Sequence, residues 1–116
     1  YHYRSEPLLY GWAPGAAHHW EGGRSQATVW EYERPKRSKD HPTIKPVELA
    51  IRAIENSVKA GGLVCDPFAG SGTILTACMQ TSRRALMIEV DPAYCDVIVE
   101  RYERLSGEKA ERVRES

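Results

Sequence analysis

The sequence has few cysteines, and none of them has the spacing of a common metal site. Cys65, Cys78 and Cys95 are its only cysteines and form no Cys-x-x-Cys pair, which argues against a zinc site and gives no disulfide framework. We expect Cys65 and Cys78 to be small buried apolar residues. The adjacent His18 and His19 are weak support for a metal ligand set, so we predict no metal site.

The sequence also lacks a long apolar run and any excess of charge. No apolar stretch of about 18 residues occurs, so no transmembrane helix is predicted, and no signal peptide is recognisable. The 16 basic residues balance the 16 acidic ones, so the composition allows nucleic-acid binding without supporting it. Few cysteines and no membrane segment make the cytoplasm the expected compartment. A chain of 116 residues that starts at Tyr1 is expected to be a small domain or part of one.

The most informative stretch is a short apolar run followed by a glycine-containing turn and a helical pattern. Leu63–Asp66 predicts a buried strand. Gly70 and Gly72 provide the turn, and residues 74–80 predict a helix. This order brings backbone N–H groups and a helix N-terminus to a ligand, and glycine permits a close approach of the backbone.

Two common nucleotide-binding motifs are absent from this stretch. A dinucleotide fingerprint requires a third glycine where Leu75 stands, and a phosphate loop requires a lysine, although none lies between Asp66 and Arg83. The next predicted strand, residues 85–89, ends in Glu89, about where such units carry a ribose-binding acid. The pattern therefore favours a nucleoside ligand without a required polyphosphate.

Two motifs resemble those of one known enzyme family. Residues 66–73, Asp-Pro-Phe-Ala-Gly-Ser-Gly-Thr, are similar to the cofactor loop of the amino-group DNA methyltransferases, which use S-adenosylmethionine. Residues 41–46, His-Pro-Thr-Ile-Lys-Pro, resemble a second cofactor motif of that family. Their order is that of its circularly permuted beta group, in which the catalytic motif comes first. The resemblance extends from about residue 6 to residue 109, nearly the whole chain.

The resemblance implies roles for individual residues. Asp66 would lie near the methionine amino group, Phe68 would pack on the cofactor, and Glu89 would bind the ribose hydroxyls. Thr43 and Lys45 would bind the cofactor carboxylate, an anion that a helix N-terminus also favours. Considered alone, Asp66 could instead form a turn, Phe68 could belong to the core, and Lys45 could be a surface residue. The full set of implied cofactor-binding residues is Thr43, Lys45, Asp66, Phe68, Gly70, Ser71, Gly72, Thr73 and Glu89.

The expected fold class is α/β, a partial Rossmann-like fold of the S-adenosylmethionine-dependent methyltransferases. Strands 63–66 and 85–89 should form a parallel pair that carries the helices. Strands 7–12 and 27–32, rich in β-formers, should form an antiparallel hairpin at the sheet edge, as the resemblance implies. Because strands between the pair and the hairpin are missing, we expect exposed apolar surface and self-association through the sheet edge.

We treat residues 1–116 as one partial domain. Helix signals and composition divide it into three parts. Residues 1–40 would hold the hairpin and a basic loop, 41–107 the cofactor-binding part, and 108–116 a frayed tail. The helix that begins at Pro46 has an apolar stripe at helical spacing: Val47, Ile51, Ile54 and Val58. Capping signals predict both ends of the last helix. Asp91 and Pro92 mark its start, and Gly107 follows its end.

The sequence contains one basic cluster, which consists of Arg34, Lys36, Arg37 and Lys39. Such a run is usually a solvated surface. In a DNA methyltransferase it would contact the phosphates of double-stranded DNA, and both interpretations are retained.

No catalytic residue is assigned within this chain. In this family an Asp/Asn/Ser-Pro-Pro-aromatic tetrad accepts hydrogen bonds from the target amino group, and its aromatic ring stacks on the flipped base. No such tetrad occurs; residues 91–94, Asp-Pro-Ala-Tyr, are similar but follow the ribose acid. We therefore expect the C-terminal part of a bacterial or phage DNA methyltransferase acting on adenine N6 or cytosine N4, inactive on its own. The alternative is a non-catalytic methylase remnant that binds cofactor or DNA.

Overall fold

A computed structural model describes residues 4–33 and 45–114 of the chain. Its helices and strands, in chain order, are α1 (Val47–Ser57), β1 (Leu63–Asp66), α2 (Thr73–Gln80), β2 (Arg84–Met87) and α3 (Pro92–Ser106). The two strands are parallel, with Leu63 opposite Arg84 and Asp66 opposite Met87. The predicted α/β fold with an adjacent parallel pair is confirmed, although β2 ends two residues before Glu89. None of the helices in the described residues has the length and apolar character needed to cross a membrane.

The core lies between α1, α2 and one face of the sheet. Ile54 of α1 meets Ala77 and Cys78 of α2, and Val64 and Ala85 add the two strands to this cluster. Cys78 is only 1% exposed, as predicted, and burial raises the pKa of its thiol. The rest of the predicted α1 stripe also packs against the cluster: Val47, Ile51 and Val58.

The opposite face of the sheet is exposed. Side chains alternate between the two faces of a strand, so the neighbours of the core residues Val64 and Ala85 point away from the helices. Leu86 is 58% exposed, and Leu63 and Cys65 are also exposed. The prediction that Cys65 is buried is therefore wrong, because the described helices cover only the other face of this sheet.

The predicted edge hairpin does not form. Residues 7–12 and 27–32 are irregular, and the side chains of Leu8 and Val29 are exposed. An isolated two-stranded hairpin is marginal in water unless another strand or a helix supports it. The sheet of the described residues consists of β1 and β2 alone, so the strands expected between this pair and the hairpin are not there to support it.

Polar contacts attach the N-terminal segment to α1 instead. Gln26 and the buried Asn56 form a reciprocal amide pair, with Gln26 Nε2 donating to Asn56 Oδ1 (2.6 Å) and Asn56 Nδ2 donating to Gln26 Oε1 (3.0 Å). The backbone N–H of Glu21 donates to the Asn56 carbonyl at 2.7 Å. The Arg52 guanidinium lies 4.5 Å from the centre of the Trp30 ring, within the range of a cation–π contact.

The boundaries of α3 follow the predicted capping signals. Asp91 Oδ1 accepts a hydrogen bond from the backbone N–H of Ala93 at 2.9 Å, and Pro92 is the first helical residue. Gly107 ends the helix in the left-handed conformation, with φ of 74°, a conformation that glycine adopts without a steric penalty. These local signals explain why the limits of α3 could be placed from the sequence.

The segment after α3 is irregular, but its first residues are attached to the helix. Glu103 accepts hydrogen bonds from Lys109 Nζ at 2.7 Å and from the backbone N–H of Ala110 at 3.0 Å. The prediction of a frayed tail over residues 108–116 therefore needs correction at its beginning, where a side chain of α3 holds the backbone.

The contact between the β1–α2 turn and α3 should make Gly72 sensitive to substitution. Gly72 has φ of 84°, and an added Cβ would lie 3.2 Å from Cγ1 of Ile98. In Gly72→Ala the left-handed backbone costs about 1–2 kcal/mol, and Ile98 must also move. Gly107→Ala is the matched control, because Gly107 has a similar φ and no atom within 4 Å of the added carbon. In urea denaturation we expect Gly72→Ala to lower the free energy of unfolding more than Gly107→Ala does. Equal losses would show that Ile98 can move without an energetic penalty.

Candidate functional site

A cleft of about 360 Å³ lies at the carboxyl ends of β1 and β2, the edge at which parallel α/β sheets bind ligands. One wall, here called the loop wall, is the turn after β1 and contains Pro67, Phe68, Gly70 and Ser71. The other, the helix wall, runs from the end of β2 into α3 and contains Ile88, Glu89, Val90, Asp91 and Tyr94. The predicted strand–turn–helix unit therefore forms one side of the cleft.

Backbone hydrogen bonds hold the loop wall against the end of β2. The N–H of Ile88 donates to the Asp66 carbonyl (2.9 Å), and the N–H of Ala69 donates to the Ile88 carbonyl (3.0 Å). Asp66 Oδ1 accepts from the N–H of Phe68 at 3.0 Å, so this carboxylate also shapes the turn. The turn leads to Gly72, the residue that precedes α2. The start of α2 thus follows directly after the loop wall.

Glu89 places a carboxylate between the two walls. Its Oε2 accepts from the N–H of Gly70 at 2.7 Å, and its Oε1 accepts from the N–H of Asp91 at 2.9 Å. The N–H groups of Asp91 and Gly70 hold the pKa of the Glu89 carboxyl below its ordinary value, because they stabilise the charged form. The group is therefore ionised at neutral pH and supplies hydrogen-bond acceptors at the cleft.

Phe68 is an exposed aromatic side chain on the loop wall. It is 88% accessible to solvent, so the alternative in which it belongs to the core is wrong. Large apolar side chains exposed beside a cleft can serve as contact surface for a ligand ring.

Asp91 lies across the cleft on the helix wall. Its carboxylate accepts a hydrogen bond from the N–H of Ala93, so this residue caps α3 and lines the cleft at the same time.

The structure brings together part of the predicted site. Phe68, Gly70, Ser71 and Glu89 line the cleft. Asp66, Gly72 and Thr73 flank it at the end of β1 and the start of α2. Lys45 is exposed just before α1 and does not line the cleft. The other predicted residues lie outside the described part of the chain: Thr43 and the basic cluster of Arg34, Lys36, Arg37 and Lys39.

Sequence reasoning missed three residues of the helix wall. Ile88, Val90 and Tyr94 line the cleft, although none of them is among the predicted cofactor-binding residues. The available signal was position: Ile88 and Val90 flank Glu89, and Tyr94 lies in the first turn of the following helix. Composition and periodicity give no indication of a ligand surface there.

Comparison with known proteins identifies the family. Residues 9–100 match the family model described as DNA methylase. The chain belongs to the DNA methylase family. The type II methyltransferase M.Cfr9I of Citrobacter freundii is 36% identical to this methylase chain over 112 residues, which cover 96% of this chain and 36% of M.Cfr9I. The chain therefore spans little more than a third of that relative, and the family predicted from the two motifs is confirmed.

Two solved structures resemble the methylase chain. The structure of the M1.HpyAVI–SAM complex matches with a TM-score of 0.56 and 28% identity, covering 74% of this chain and 44% of that one. TTHA0409 from Thermus thermophilus, solved in complex with S-adenosyl-L-methionine, matches with a TM-score of 0.50 and 43% identity, covering 52% of this chain and 25% of that one. Both likenesses support the α/β methyltransferase fold.

Proposed function

We propose that this chain is the cofactor-binding part of a DNA methyltransferase that transfers a methyl group from S-adenosylmethionine to adenine N6 or cytosine N4. The observation that carries this proposal is the ionised Glu89 carboxylate at the strand ends, which accepts from the glycine turn that also carries the exposed ring of Phe68. Two similar structures, of M1.HpyAVI and TTHA0409, were solved as complexes with that cofactor, which supports the choice of ligand.

The cleft residues suit the parts of this cofactor. Glu89 would accept hydrogen bonds from the ribose hydroxyls, since a carboxylate oxygen can accept more than one hydrogen bond. Phe68 would pack against the adenine ring, and Asp66 would attract the methionine amino group. Outside the cleft lining, Lys45 would bind the cofactor carboxylate together with Thr43. When bound, the cofactor supplies an electrophilic methyl group; these side chains orient it.

The acceptor side of the reaction requires residues beyond these 116. The Asp/Asn/Ser-Pro-Pro-aromatic tetrad that would hold the target amino group is absent from the sequence. Residues 91–94, which resemble it, form the start of α3 and the helix wall. Since the chain spans 36% of M.Cfr9I, we place the tetrad in a longer parent protein. That parent would bind double-stranded DNA in the bacterial cytoplasm, with Arg34, Lys36, Arg37 and Lys39 on the phosphates.

We also infer that the chain on its own associates through its sheet. Parallel sheets are normally covered on both faces, yet Leu63, Leu86 and Ile88 are exposed, Ile88 to 64%. β1 and β2 are each edge strands of the described sheet, and unpaired edges promote pairing with another chain.

Phe68→Ala should weaken cofactor binding without destabilising the fold. The ring is exposed, so its removal leaves no cavity. Stacking of a base on an aromatic side chain is worth about 1–3 kcal/mol, so the Kd for S-adenosylmethionine should rise about five- to 150-fold. Isothermal titration calorimetry would measure this Kd. Leu9→Ala is the control, because Leu9 is fully exposed and lies outside the cleft. An unchanged Kd in Phe68→Ala would remove this residue from the proposed site.

The chain alone should not methylate DNA. The methyl donor and the acceptor amino group must be held about 3 Å apart and in line. In our proposal these residues bind only the methyl donor. A tritiated methyl-transfer assay on mixed-sequence duplex DNA should give background counts for residues 1–116 and clear transfer for full-length M.Cfr9I. Transfer by the chain at a comparable rate would place the acceptor site within these residues and contradict its assignment to a longer parent. If the longer parent protein, assayed in the same way, is also inactive while it still binds the cofactor, the binding-module alternative is favoured.

A further inference from the structure

Three successive hydrogen bonds attach the loop wall to the end of β2. The first two join backbone groups: the N–H of Ile88 to the Asp66 carbonyl, and the N–H of Ala69 to the Ile88 carbonyl. The third joins the N–H of Gly70 to the side chain of Glu89 at 2.7 Å. At Gly70 the acceptor is therefore a side chain and not a backbone carbonyl. Glu89 thus extends the pairing of the two strands into the cleft.

The other oxygen of the same carboxylate holds the helix wall. Glu89 Oε1 accepts from the N–H of Asp91 at 2.9 Å, and Asp91 is the residue that caps α3. One carboxylate therefore joins Gly70 of the loop wall to Asp91 of the helix wall. Hydrogen bonds to an ionised acceptor are shorter and stronger than neutral ones, so this link is well suited to fixing the walls.

We infer that Glu89 is a positioning residue as well as a ligand contact. Before any ligand binds, its carboxylate sets the relative position of the loop wall and the helix wall. This role rests on the proposed function only for the identity of the ligand that the walls receive. The two hydrogen bonds join groups of this chain alone, so the role can be tested without cofactor.

The two bonds require two acceptors, and this distinguishes a carboxylate from an amide. In Glu89→Gln the side chain keeps its size and one carbonyl oxygen, but an NH₂ group replaces the second oxygen. The N–H of either Gly70 or Asp91 would then face another donor. The substitution should therefore release one wall while it removes no packing volume.

Amide hydrogen exchange in the ligand-free chain, followed by NMR at neutral pH, tests this role. We expect the amide of Gly70 or of Asp91 to exchange at least about tenfold faster in Glu89→Gln, which corresponds to about 1.4 kcal/mol. The amide of Ile88, which donates to the Asp66 carbonyl, should keep its rate and so report an intact sheet. Glu100→Gln is the matched control, because Glu100 is exposed on α3 away from the cleft. Unchanged rates at both Gly70 and Asp91 would overturn the proposal.

A titration of the unsubstituted chain keeps the proposal testable if Glu89→Gln does not fold. As the pH falls, the amide proton shifts of Gly70 and Asp91 should change together with the Glu89 carboxyl carbon. Their common midpoint should lie below 4.5, the ordinary value, because the pKa of Glu89 is lowered in the folded chain. The stabilisation is thus present at neutral pH and is lost as the pH falls through that midpoint.

Two neighbouring carboxylates, Asp66 and Asp91, each accept a hydrogen bond from a different backbone N–H, whose amide shift serves as its reporter. Asp66 accepts from the N–H of Phe68, and Asp91 accepts from the N–H of Ala93. Amide shifts of Gly70 and Asp91 that follow these reporters, rather than the Glu89 carboxyl carbon, would overturn the proposal.

Cofactor calorimetry on the same proteins separates this inference from the proposed function. Faster exchange in Glu89→Gln, combined with no binding of S-adenosylmethionine to the unsubstituted chain, would support the positioning role and contradict the proposed ligand. Weaker cofactor binding in Glu89→Gln with unchanged exchange would leave Glu89 as a ligand contact and overturn its positioning role.

Discussion

The parallel register of β1 and β2 places Asp66 opposite Met87, and the geometry of the cleft follows from that alignment. Because both strands run in the same direction, the turn after β1 and the exit from β2 emerge at one edge of the sheet. Main-chain bonds from Ile88 and Ala69 continue the pairing past the strands, and the Glu89 carboxylate completes it. A shift of one residue would turn each side chain of one strand to the other face and would move Glu89 away from Gly70.

The same pair of strands also shows that the fold is partial. One face is covered by α1 and α2 through a small cluster around Ile54, Ala77 and Cys78. The other face and both edges are uncovered in the described residues, and the N-terminal segment is attached by amide contacts rather than by strand pairing. This arrangement agrees with a chain that spans 36% of M.Cfr9I. The cleft nevertheless forms from hydrogen bonds between residues that this chain contains.

The parts of the fold that could be predicted are those governed by neighbours in sequence. The β1–turn–α2 unit and the ends of α3 depend on short-range signals such as Gly72, Asp91 and Gly107, and each was placed correctly. The edge hairpin and the burial of Cys65 depend on strands and helices that the described residues do not provide, so both predictions were wrong. Glu89 could be placed by its spacing, but its hydrogen bond to Gly70 of the loop wall could not, because that bond requires the register.

NMR of the ¹⁵N-labelled chain can locate the binding site of S-adenosylmethionine directly. We expect amide shifts to change in two clusters, residues 67–72 at the loop wall and residues 88–94 at the helix wall, with saturation at one common Kd. The exposed aromatic residues of the N-terminal segment, Tyr10, Trp12 and Trp20, should remain unchanged. No shift changes at saturating cofactor, or changes confined to that segment, would contradict the claim that the edge of the β1–β2 pair is the cofactor site.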